Sequence, residues 1–228
     1  HGAALESVIL YGSGASGDFS ERFSDLNVFC VLTQVGVKEL EASEKIFAWW
    51  REMGNPAPLL MARAEVERST DCFPIEFHDM AERRRVLYGE DVVAGLSIDD
   101  RFYRAQVELE LRAKLLRLRQ KAAGVLHQQD LLLGLMTDSI STFALLFRHA
   151  LRLHGIAALS HAKRDVFALA QERLSVDATP FYTLLDLREG RKRPKEVDPR
   201  ALFESYLAGL VAMAGAVDQL DLKGTDRT

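Results

Sequence analysis

Near Leu96 the hydrophobic pattern of this 228-residue chain changes its period, and the change limits the folds open to it. Before that point, short β-rich runs at Ser7 to Tyr11, Asn27 to Leu32, Pro58 to Met61 and Phe73 to Phe77 are broken by glycine turns. Helical stretches at Lys38 to Met53 and Ala64 to Ser69 lie between them. Beyond it, apolar residues recur at helical spacing. Strands alternating with helices, then helices alone, predict an α/β plus all-α protein. The mixed sheet falls in residues 1–97 and a helical bundle in residues 98–228.

The helical half is punctuated by its caps. Asp99 and Asp100 precede a helix that runs to about Gly124, and a second extends from about Asp130 to His154, where Gly155 stops it. Shorter helices are expected at Lys163 to Arg173 and Pro180 to Glu189, and the basic connector Arg191 to Lys195 leads to a last helix opened by Asp198-Pro199. In the second helix Leu131, Leu135, Ile140, Phe143, Leu146, Phe147 and Leu151 cover too wide an arc for one solvent side, so it is expected at the centre, between the helix before it and the last one. Asp138, Arg148 and His149 interrupt it before the ~20 apolar residues of a membrane span, so no membrane partner is expected.

A net charge of -4 argues against a protein that coats nucleic acid, and 48% hydrophobic with 27% charged residues excludes bulk disorder. The two cysteines, Cys30 and Cys72, supply neither a disulfide framework nor a zinc site, which suits a reducing cytoplasm.

Chemistry concentrates around one turn. Tyr11-Gly12-Ser13 closes a strand, a loop with Gly14 and Gly17 follows, and the next strand opens at Asp25-Leu26-Asn27. Glycine lets backbone amides approach a phosphate closely. Residues two apart on a strand share a face, so Asp25 and Asn27 project together while Leu26 packs inward. Oxygen ligands so placed suit magnesium and the phosphates of a nucleotide.

Gly12-Ser13, eleven residues, then Asp25-Leu26-Asn27 and the apolar run Val28 to Leu32 resemble the motif of the polymerase β nucleotidyltransferase superfamily. The family has Gly-Ser, then two acidic residues separated by one apolar residue, with a third carboxylate on a later strand; Glu76 in Phe73-Pro74-Ile75-Glu76-Phe77 is the position that looks similar. Leu87 to Asp91 also resembles a Leu-Tyr-Gly-Glu-Asp segment of bacterial members, and small bacterial nucleotidyltransferases carry a helical domain behind the α/β one. The resemblance implies transfer of a nucleoside monophosphate from a magnesium-bound nucleoside triphosphate to a hydroxyl acceptor, which could be a small molecule, a protein or an RNA. Gly12 and Ser13 would cradle phosphate, and Asp25, Asn27 and Glu76 would hold Mg2+.

Asn27 departs from the pattern, which has an acid there. The loss of one unit charge at about 4 Å removes roughly 4 kcal/mol of attraction at an effective dielectric near 20. Three explanations fit: a degenerate pseudoenzyme, recruitment of another acid, or a laboratory replacement of aspartate. The alternative function is a non-catalytic nucleotide-binding or protein-interaction module, with a homodimer formed through the helical domain as in toxin-antitoxin pairs.

Lesser candidates have plainer readings beside them. Arg148 and His154 resemble the Arg-x4-6-His motif of the ribonucleases called HEPN, though a helix rich in Arg and His produces such a pair readily. His78 and Asp79 follow Glu76 but, on a strand, would point to opposite faces. Arg83, Arg84 and Arg85 could reach a triphosphate or an acceptor but read first as a solvated charged turn, and Glu108 and Glu110 form an acidic helix face that could position an acceptor.

Overall fold

In a computed structural model the described residues are 1–15, 26–156 and 162–220. The chain forms two compact units, His1–Tyr103 and Arg104–Thr228.

The first unit is built on a four-stranded sheet in the order β3-β2-β1-β4, with β1 Leu5–Tyr11, β2 Asn27–Leu32, β3 Leu59–Ala62 and β4 Arg84–Gly89. β1 pairs antiparallel with β2 and β4, and β2 runs parallel to β3, so the sheet is mixed as expected. Helices α1 (Val37–Glu52), α2 (Arg63–Arg68) and α3 (Pro74–Glu82) complete it. Ile9, Phe29 and Val31 share one sheet face by alternation and are buried with Phe77 and Met80 of α3, where the Phe29 and Phe77 rings meet edge to face at 6.4 Å.

Two expectations fail here. Phe73 to Phe77 is no strand: Pro74 occupies the first helical turn of α3, with Glu76 close behind it, a combination that favours a helix N-terminus. The arginine run is no charged turn, because Arg84 and Arg85 open β4. Arg84 points into a fixed network, its Nε donating to Asp91 at 2.8 Å and its Nη1 to the carbonyls of Met80 and Ala81.

The second unit is helical: α4 Tyr103–Ala123 (its first residue belonging to the first unit), α5 Gln129–Leu153, α6 Lys163–Leu174, α7 Thr179–Arg188 and α8 Pro199–Asp218. Asp198 caps α8 by accepting from the amides of Arg200 and Ala201. α5 packs against α6, α7 and α8. Ile140, Phe143, Leu146, Phe147 and Leu151 are buried as expected, and Phe147, Phe167, Phe181 and Tyr206 form an aromatic cluster. Leu131 departs from the expectation: it is 54% exposed, and with Asp138 and Leu145 it gives α5 a narrow outer stripe. α5 and α8 have the length and apolar content of membrane spans, yet both bury apolar faces in this core.

Candidate functional site

The glycine turn ends β1. Tyr11 pairs across the sheet with Asn27 on one side and Arg84 on the other, so the turn that follows, Gly12–Ala15, starts where three strands meet. Gly12 has φ +71 and a Cβ placed there would stand 3.3 Å from Asn27 Nδ2. Its amide donates to the Arg83 carbonyl at 3.2 Å, which fastens the turn to the start of β4. The Tyr11–Asn27 pairing thus brings Gly12 and Asn27 side by side. Asp25 lies outside the described residues, and of Ser13 only the backbone is described.

Asn27 shares its sheet face with Phe29 and therefore lies on the side that α3 covers. Glu76 and Asp79, three positions apart on α3, share a helix face. Both carboxylates act on the Tyr11 phenol: burial first, then the charge of Glu76, then that of Asp79, hold its pKa well above the ordinary tyrosine value. Tyr11 therefore stays a neutral donor beside the turn. Glu76 thus stands on a helix rather than on the expected strand, and Asp79 acts on Tyr11 beside it. The missed signal was period: read at three to four residues per repeat, Phe73-Pro74-Ile75-Glu76-Phe77-His78-Asp79 puts its two acids together.

Other acids nearby are committed elsewhere. In Leu87 to Asp91, Glu90 pairs with Arg63 at 2.8 Å, and Asp91 pairs with Arg84 while accepting from the amides of Val93 and Ala94. These contacts hold both carboxyls below the usual carboxylate range, led in each case by the arginine hydrogen bond. Gly89, just before them, has φ +72 and no room for a side chain, since a Cβ would lie 1.8 Å from the Glu6 carbonyl oxygen. That segment is structural. His78 is likewise engaged, with Nε2 2.6 Å from Asp100 and its ring 4.7 Å from that of Tyr103. Cys30 is pushed up to about 11 by burial, which keeps its thiol inert.

Among the described residues no three His, Cys, Asp or Glu side chains converge as a metal cage. In the second unit Arg148 and His149 are buried within α5, and His154 sits at its C-cap. Glu108 is held by Arg104 at 2.7 Å and Arg112 at 2.6 Å, and its pKa is lowered despite the desolvation that opposes them. Such a carboxylate is a weak proton acceptor.

No family model and no curated protein matches the chain. Among solved structures it is similar to that of spectinomycin adenyltransferase AAD(9) from Enterococcus faecialis with ATP and spectinomycin, with a TM-score of 0.60, 12% identity, and coverage of 95% of this chain and 93% of that one. The likeness carries the fold alone: a mixed-sheet domain followed by a helical region, as in that adenyltransferase structure.

Proposed function

We propose that this chain binds a nucleoside triphosphate at the Gly12-Ser13 turn and transfers its nucleoside monophosphate to a hydroxyl of a small-molecule acceptor. The observation that carries the reading is the meeting of Gly12, Asn27 and Tyr11 at one sheet end, with Tyr11 under the charge of the α3 carboxylates Glu76 and Asp79. The solved neighbour's ATP and spectinomycin support a triphosphate donor and a small acceptor.

In the proposed reaction the acceptor oxygen bonds to the α-phosphorus, the bond from that phosphorus to the bridging oxygen breaks, and pyrophosphate leaves. The hydroxyl proton passes to Asp79, the α3 carboxylate not assigned to the ion. Gly12 presents its turn to the phosphates without a side chain in the way. Asp25, the amide oxygen of Asn27 and Glu76 are the hard oxygen donors that would hold Mg2+. When bound, the ion would offset phosphate charge and polarise the transferred group.

Asn27 favours a second reading, nucleotide binding without transfer, because the amide contributes no charge where the fold's motif has an acid. Calorimetry with magnesium and each triphosphate in turn tests both: binding of none removes the nucleotide site altogether. Where binding is seen, Asn27→Asp decides between them. A gain of nucleotide transfer to spectinomycin or other hydroxyl acceptors is expected for an impaired enzyme, and binding with no gain supports the non-catalytic module.

A further inference from the structure

α4 has two apolar faces. Tyr103, Val107, Leu111, Leu115, Leu118 and Ala122 are buried. On the opposite side, at about 3.6 residues per turn, Ala105, Leu109, Ala113 and Leu116 form a second stripe, with Leu109 61% and Leu116 57% exposed. A surface helix ordinarily needs one apolar stripe; a second, left in water, fits a helical partner.

The flanking charges say which partner. Glu108 and Glu110 border the stripe in its first half, Arg117 and Arg119 in its second. Among the described residues Arg117 and Arg119 have no ion-pair partner within the chain, and with Arg112, Lys114 and Lys121 they make the second half basic. A two-fold axis near Ala113, perpendicular to the helix, sets Leu109 opposite Leu116, Glu110 opposite Arg117 and Glu108 opposite Arg119, each pair occurring twice. Glu108 already serves Arg104 at 2.7 Å and Arg112 at 2.6 Å, and Arg112 also lies 3.5 Å from Asp218; Glu110 meets Lys114 at 3.6 Å, a looser contact on an exposed face, so the Glu110 and Arg117 flank is the more open to exchange. Parallel pairing would instead stack the two basic halves.

We propose that α4 pairs antiparallel with α4 of a second copy of this chain, covering Leu109 and Leu116 and placing Glu110 of each copy against Arg117 of the other. The surface is self-complementary, as an isologous contact must be. A helix of 21 residues is about 30 Å long, so the contact is modest and association should depend on concentration.

Sedimentation velocity on the full chain, over a concentration series, reads this directly. The mass should rise from that of the 25.5 kDa chain to twice that value. The double variant Leu109→Glu/Leu116→Glu should stay at the monomer mass with an unchanged circular dichroism spectrum. Glu110→Arg and Arg117→Glu should each weaken the dimer several-fold, and combining them should restore it, because the pair re-forms with its sign reversed. Restoration requires antiparallel packing. A wild-type chain that remains monomeric to its solubility limit overturns the proposal. So does a dimer that ignores the leucine substitutions, or a combined variant no stronger than the single ones.

Discussion

Gly89→Ala adds one methyl group at the point where β4 leaves the sheet, and the structure sets its cost. The residue has φ +72, a conformation that costs a non-glycine residue about 1–2 kcal/mol. The new methyl would also sit 1.8 Å from the Glu6 carbonyl oxygen and 2.8 Å from its carbon, both backbone atoms of β1, so the strand itself has to move. Two hydrogen bonds lie in its path: the Glu90 amide to the Glu6 carbonyl at 3.2 Å, and Ser7 Oγ to the Glu90 carbonyl at 2.6 Å. At about 1 kcal/mol each, their loss brings the expected total to roughly 3–4 kcal/mol. Gly95→Ala is the matched control. Gly95 has φ +79 with no heavy atom within 4 Å of the added Cβ, so it incurs only the conformational cost, about 1–2 kcal/mol. Both substitutions stiffen the unfolded chain alike, and that contribution cancels in the comparison. Urea titration followed by circular dichroism gives each free energy from its midpoint and slope. Equal losses for the two variants would refute the steric argument. Displaced β1 would also disturb Tyr11 and Gly12 at the far end of the same ladder, so nucleotide binding should weaken in Gly89→Ala and not in Gly95→Ala.

In the second unit, Phe143→Ala empties a buried site against Tyr206 and should cost about 3–5 kcal/mol in a denaturation titration, whereas a loss near zero would mean α5 is peripheral. Gly209→Ala errs the other way: its methyl would lie 2.7 Å from Phe181 Cε2, and Phe181 is wedged by Phe167 at 4.6 Å and Phe147 at 5.0 Å. Overpacking of about 1–3 kcal/mol should lower the melting temperature, and an unchanged value would show that the ring yields freely. Acid sensitivity follows from Asp91, whose folded carboxyl lies below its unfolded value because Arg84 and two amides favour the anion. The stabilisation is present above the unfolded value of about 3.9 and disappears as pH falls through the lower folded one. The stability gap between wild type and Asp91→Asn should therefore be steady near neutrality and close in acid; a gap that persists unchanged below that range would contradict the pairing.

The fold was legible wherever one pattern dominated. Helical periodicity with strong punctuation located α4 to α8 within a few residues, since Asp198-Pro199 and Gly155 are local signals that tertiary packing does not overrule. α3 was misread because Phe73 to Phe77 is apolar, aromatic and short, a composition equally at home in a buried strand and in one buried face of a helix. Pro74 was the arbiter, as it suits the first helical turn and removes a donor from a strand ladder. Leu131 illustrates a different limit. Its apolar character matched the buried positions of α5, but the packed arc of that helix ends before reaching it, and only the positions of neighbouring helices decide where an arc ends.

The candidate site divides along the same line. The Gly12 turn and the strand opening at Asn27 were both legible from sequence as glycine punctuation and an apolar run, and the Tyr11–Asn27 pairing of β1 with β2 is what sets them side by side. The α3 acids could not, because their approach to Tyr11 depends on how Phe77 and Met80 seat that helix against Ile9 and Phe29, a packing event with no local marker. The acids of Leu87 to Asp91 show the converse: by resemblance they stand in a family segment, yet Arg63 and Arg84 consume both, and Gly89 is dictated by a carbonyl oxygen. With those two carboxylates held in structural pairs, and Asn27 uncharged, the negative charge available to the turn from described residues comes from α3. Any chemistry that needs an anion beside Gly12 must therefore draw it from Glu76 and Asp79, or from Asp25, which lies outside the described residues.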